Sequence, residues 1–95
     1  MSKCKYKNMN YTTLETIKKA GRSRIILRII YTEKDGVNEG WRHIEPYSLS
    51  GDGNNYALFA WDIEKGGIRR FTLSRIDDVE LTAKTFIPRY PVEIL

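Results

Sequence analysis

The sequence predicts a mainly β fold, with one short N-terminal helix followed by a five-stranded antiparallel sheet that is bent or half closed into a barrel. Three observations carry this expectation. One segment has helical spacing, five segments rich in β-branched and aromatic residues follow it, and turns containing Gly, Asp or Asn separate those segments at short intervals.

The helix is read over "YTTLETIKKAG", Tyr11 to Gly21. Thr12 and Glu15 have the spacing of a capping box, Leu14 and Ile17 share a face, and Gly21 is placed to stop the helix. Two turns do not hold alone, so this face needs a sheet beneath it. The first strand, Arg24 to Glu33, supplies one. Its Ile25, Leu27, Ile29 and Tyr31 fall on one face, while Ile26 and Ile30 flank Arg28 on the other. "KDGVNEG" holds an Asp-Gly turn, and "WRHIEPYSL" is the second strand. There Pro46, which has no N–H to donate, forces a break, a bulge or an edge position.

After the "GDGNN" turn comes the third strand, Tyr56 to Ile63. Alternation sets Ala57, Phe59, Trp61 and Ile63 against Tyr56, Leu58, Ala60 and Asp62. Phe59 and Trp61 are expected to be core, because a domain this small needs large rings to hold it together. The opposite face is then the one more open to function. "EKGG" turns the chain into the fourth strand, "IRRFTLSRI", and "VELTA" is a short fifth strand. Pro88 and Pro91 keep the tail "FIPRYPVEIL" extended, either along the body or on a partner.

At 95 residues the chain is one domain. Its net charge of +4 is less informative than it looks, since Lys3, Lys5 and Lys7 supply three of those charges. Residues 1–10 are expected to be a flexible basic leader and residues 11–95 the single domain. From Tyr11 onward 13 basic residues (16 minus 3) face 12 acidic ones, so only the placement of particular arginines could argue for a polyanion partner. A mean hydropathy of −0.48 leaves no stretch apolar enough for a bilayer, and no apolar run follows the cationic start. A cytoplasmic protein with no membrane partner is expected. The single cysteine, Cys4, is read as a free thiol.

The order of residues resembles the WYL domain, a bacterial regulatory module named for a Trp-Tyr-Leu strand. The likeness covers nearly the whole chain. It runs from the helix and "RIIYTEKDG" through "RHIEPYSL", where Arg42, Pro46 and Leu49 match an Arg, a Pro and a Leu, to "YALFAWD". The most specific block is "IRRFTLSRIDDVELTAKTF". In it Arg69, Phe71, Leu73, Arg75 and Ile76 fall on an Arg-x-Phe-x-Leu-x-Arg-Ile pattern, and Phe86 falls on a closing Phe. The naming triad departs, with Tyr56, Ala57 and Leu58 in place of Trp, Tyr and Leu. The resemblance implies an Sm-like (SH3-like) sheet or barrel that senses ligands or dimerises in transcription regulators, with nucleotides or nucleic acid as ligands. The winged helix-turn-helix that normally precedes such a domain has no counterpart in these residues, so a stand-alone domain is expected.

In the fourth strand, alternation puts Arg69, Phe71, Leu73 and Arg75 on one face, two guanidiniums bracketing two apolar groups. Planar forks on a rigid strand suit bidentate capture of phosphate, and apolar flanks strengthen it. The plainer reading pairs Arg75 with Asp77, Asp78 or Glu80 and leaves Arg69 in solvent. The resemblance moves the expectation to a ligand site formed by Arg69 and Arg75 with Arg42, and with Tyr56, Tyr31 and Ser74 as auxiliaries. Arg28 could extend the same surface, whereas Arg70 alternates to the other face. The expected partners are a nucleotide or single-stranded nucleic acid, together with a second copy or a regulator protein. A structural dimerisation or docking module of the same fold is the alternative. His43 alone cannot build a metal site, no strand-turn-helix presents an activated serine, and no glycine loop cradles phosphates, so neither an enzyme nor a cofactor is expected.

Overall fold

In the computed structural model the helix α1 (Ser2–Ser23) is longer than the capping box implies. The structure describes residues 2–51 and 56–94, with side chains from Thr12 onward. Residues 52–55 of the expected "GDGNN" turn, and the side chains of Lys3, Cys4, Lys5 and Lys7, lie outside the described residues. Thr12 sits inside α1, where its carbonyl accepts a 2.9 Å hydrogen bond from the Thr16 hydroxyl. Gly21 does not end the helix either. The chain turns out at Arg24, in the left-handed conformation at φ 57°, and the Arg24 guanidinium donates back to the Gly21 carbonyl at 2.9 Å. One orphaned carbonyl at the helix end is thereby satisfied.

Five strands follow: β1 (Ile25–Thr32), β2 (Asn38–Ser50), β3 (Ala57–Asp62), β4 (Gly67–Thr72) and β5 (Ile76–Thr85). They form one antiparallel sheet in the order β4-β3-β2-β1-β5. β1 to β4 make a meander, and the chain then crosses through a single 3-10 turn, Leu73–Arg75, so that β5 pairs with β1. The sheet is bent and does not close, because β4 and β5 end it on opposite edges. The fourth strand is therefore shorter than the expected "IRRFTLSRI", and Arg75 belongs to the turn rather than to a strand face.

The core lies between α1 and one face of the sheet. Ile17 and Ala20 of the helix pack on Leu27, Ile29 and Tyr31 of β1, Ile44 of β2, Leu58 and Ala60 of β3 and Phe71 of β4. The alternation expected in β1 is met, whereas that in β3 is reversed. Leu58, Ala60 and Asp62 are fully buried, and Phe59 and Trp61 are only half-buried on the far face. Side-chain bulk lost to chemistry here. Asp62 is held inward by a cation on β2, and Trp61 finds its cover from the tail instead of the helix.

Pro46 is fully buried, and the β2–β3 register slips between Pro46 and Ser48, so the proline produces a bulge. Four successive β2 residues, Ile44 to Tyr47, are buried, which requires cover on both faces. The helix provides one side and the tail the other. Beyond Thr85 the tail lies on its own body. The Phe86 N–H donates to the Arg24 carbonyl (2.9 Å), the Glu93 N–H donates to the Tyr47 carbonyl (2.7 Å), and Ile94 is buried against Gly21.

Candidate functional site

Register brings residues from four strands to one end of the core face. Arg42 stands opposite Ile29, Asp62 opposite Ile44, Arg69 opposite Ala60 and Phe71 opposite Leu58. At the floor the Arg42 side chain, 5% exposed, places Nη1 3.4 Å from Oδ2 of Asp62, whose side chain is fully buried. At the rim Arg69, 32% exposed, places Nη2 3.1 Å from Oε2 of Glu33. The two guanidiniums share both carboxylates. Arg42 Nη2 also lies 3.7 Å from Glu33 Oε2, and Arg69 Nη1 lies 3.8 Å from Asp62 Oδ2.

An apolar wall completes the cluster. Both guanidinium carbons lie 5.7 Å from the centroid of the Phe71 ring, and Tyr31 meets that ring edge-on at 5.0 Å. The Tyr31 hydroxyl accepts the Thr72 N–H at 2.9 Å, tying β1 to the end of β4. Glu39 bridges outward, from Arg42 Nη2 at 3.2 Å to Lys65 Nζ at 3.0 Å. Its carboxyl is held below the usual range, first by the Lys65 hydrogen bond and then by the charges of Lys65, Arg42 and Arg69. Asp62 serves the following turn as well, since its Oδ1 accepts the Lys65 N–H at 3.1 Å. Three cations and three carboxylates thus form a balanced network, buried at the floor and half open at the rim.

Of the expected site residues, Arg42 and Arg69 are brought together beside Tyr31. Arg75 lies in the 3-10 turn next to Ile76, which pairs with Tyr31, and it makes no ion pair among the described residues. It does not share a strand face with Arg69. Ser74 is exposed on that same turn, and Tyr56 is half-buried against the core, its carbonyl accepting the Leu73 N–H at 3.1 Å. Arg28 does not extend this surface. It sits on the other face, 4.2 Å over the Trp41 ring and hydrogen-bonded to Glu80 at 2.8 Å. Of the acidic partners considered for Arg75, Glu80 is taken by Arg28, and Asp77 accepts from the Thr32 hydroxyl. Sequence reasoning missed Glu33, Glu39, Asp62 and Lys65. The available signal was the placement of Asp62 on a strand face otherwise made of Tyr56, Leu58 and Ala60, where a charge needs a partner.

Comparison with known proteins gives the affiliation. The WYL domain model matches residues 12–81, more than half of the chain. The chain belongs to the WYL domain family. Among solved structures, this WYL domain is similar to proteasome accessory factor B/C (PafBC) of Arthrobacter aurescens. The TM-score is 0.73 at 20% sequence identity, over 90% of this chain and 14% of that one. At that identity the likeness shows the shared fold, and the chain spans about one seventh of the length of its structural relative.

Proposed function

We propose that this WYL domain is a non-enzymatic, cytoplasmic ligand-sensing module. It takes a phosphate-bearing ligand, a nucleotide or single-stranded nucleic acid, and passes the binding event to a transcription regulator. Family membership supports a regulatory, ligand-sensing role in general terms. The observation that carries the finer reading is the sharing of Glu33 and Asp62 by Arg42 and Arg69 beside Phe71. Two guanidinium forks converging on carboxylate oxygens are equally suited to phosphate oxygens, and the aromatic wall weakens competition from water. Glu33 is the exchangeable member, being 30% exposed at the rim, while Asp62 stays to hold Arg42 in place. Arg75, without an acidic partner among the described residues, would add a second phosphate contact from the turn.

One observation favours the structural alternative, which is that the network is already charge-balanced and its floor is buried. Fluorescence anisotropy of a labelled single-stranded oligonucleotide, with nucleotides as competitors, separates the two. Changing Arg69 and Arg75 together to Gln should weaken binding at least about tenfold, because each charge-assisted contact contributes roughly 1.5–3 kcal/mol. The salt dependence should become shallower as fewer counterions are released. Arg70→Gln, exposed and one residue away from Arg69, should bind like the parent. Equal binding by all three proteins with the fold intact would leave the structural reading.

A further inference from the structure

Glu33, just past β1, and Glu39, at the start of β2, fill matching gaps between cations. Glu33 Oε2 lies between Arg42 Nη2 at 3.7 Å and Arg69 Nη2 at 3.1 Å. Glu39 Oε1 lies between the same Arg42 Nη2 at 3.2 Å and Lys65 Nζ at 3.0 Å. One nitrogen of Arg42 is therefore common to both gaps.

Charge decides what can take the place of these two carboxylates. Arg42, Arg69 and Lys65 carry three positive charges; Asp62 neutralises one, and Glu33 and Glu39 neutralise the other two. Asp62 is fixed, because its side chain is fully buried and its Oδ1 also accepts the Lys65 N–H at 3.1 Å. The side chains of Glu33 and Glu39 are 30% and 50% exposed and can turn out into solvent. A group that displaces both must bring nearly two negative charges, since Arg42 is 5% exposed and a buried cation left without its counter-charge is costly. A phosphodiester inside a strand brings one. A terminal phosphate monoester brings about −1.5 to −2 at pH 7.

Shape agrees with charge. Each carboxylate enters from the rim on a single stem, and a monoester likewise has one carbon-bearing oxygen and three free ones. It can set one free oxygen between Arg42 and Arg69 and another between Arg42 and Lys65. A diester would have to carry its chain away on two sides, above a floor closed by Asp62 and Phe71. We propose, on the footing of the phosphate site assigned above, that Arg42, Arg69 and Lys65 form a seat for a terminal phosphate monoester in preference to an internal phosphodiester. Its ligand is the phosphorylated end of a single strand or of a nucleotide. Lys65, 45% exposed on the β3–β4 turn, sets the preference by supplying the third positive charge.

Fluorescence anisotropy of one internally labelled single strand, titrated with the full chain, tests this in three forms: with a 5′-phosphate, with a 3′-phosphate and with hydroxyls at both ends. At least one phosphorylated form should bind about tenfold more tightly than the hydroxyl form. A nucleoside monophosphate should displace it where the nucleoside does not. Lys65→Gln should pull the ratio of affinities toward one, whereas Lys65→Arg and Arg70→Gln should keep it. Equal binding of the three forms, with affinity still lost when Arg69 and Arg75 are both changed to Gln, overturns the terminal preference and leaves the phosphate site standing. A preference that survives Lys65→Gln undiminished overturns the seat. No binding of any form, or binding that none of these changes moves in chains keeping the parent's strand spectrum, overturns both the seat and the phosphate site.

Discussion

Arg42 and Arg69 touch the same two carboxylates, yet their replacement should have different consequences. Arg42→Ala leaves Asp62 buried with only the more distant Arg69 for a counter-charge, and breaking a buried pair on one side costs about 3–5 kcal/mol. Urea unfolding should show that loss as a lower midpoint. Arg69→Gln removes a rim contact in partial solvent and should move stability by only about 0.5 kcal/mol. Glu33→Gln tests the exchangeable carboxylate from the other direction. It keeps the shape of the side chain and removes the competing charge, so an oligonucleotide should bind several-fold more tightly at unchanged stability. Equal or weaker binding would deny Glu33 the role of stand-in for phosphate. Tyr47 adds a pH signature. Burial pushes its phenol up to about 12; the Arg89 N–H opposes this, and the hydrogen bond to Glu45 adds to it. The folded state therefore keeps its proton above the ordinary value of 10.0, at which the unfolded chain releases it. Stability should be fully present below pH 10 and fall as pH rises toward 12. Thermal unfolding across that range, compared with Tyr47→Phe, measures the contribution.

The joint between α1 and the tail is where helix propensity and packing oppose each other. A Cβ on Gly21 would lie 2.7 Å from Cβ of Ile94 and 2.8 Å from its Cδ1, and the Ile94 Cβ is no flexible far end that can swing aside. Alanine would raise helix propensity by about 1 kcal/mol, but overpacking costs roughly 1–3 kcal/mol, so Gly21→Ala should destabilise. Ile94→Ala in the same chain should restore part of the loss, which chemical denaturation of the single and double variants would reveal. The same joint marks the limit of reading elements from sequence. Gly21 looked like a helix stop because local signals cannot show that a residue 73 positions later needs the space. β1 was legible because Leu27, Ile29 and Tyr31 alternate onto one face, and a disturbance at Pro46 was legible because a missing N–H is a local fact, although the sequence left a break, a bulge or an edge position open and the structure resolves it as a bulge. β3 was misread because its core face was chosen by an ion pair between strands. The arginines of the site were visible as residues. Their carboxylate partners were not, because Glu33, Glu39 and Asp62 meet only through the register of β1, β2 and β3.

For the whole molecule, the sheet order makes its last strand the most remote partner of its first. β1 to β4 pair with sequence neighbours across short turns, whereas Arg28 must wait for Glu80, 52 residues along, and Ile25 for Thr85. Closing so long a loop precedes any reward from the contacts, and chains dominated by such pairings fold in milliseconds to seconds. The expected order of events is a meander that collapses on α1 first, with β5 docking late and the tail later still. In stopped-flow measurements Glu80→Ala should therefore speed unfolding and scarcely change the folding rate, whereas Leu58→Ala in the meander should slow folding. Until β5 arrives, the backbone of β1 is an open edge beside Ile26 and Ile30. The interval between meander and closure is thus the moment at which a nascent chain is most exposed to pairing with the wrong strand.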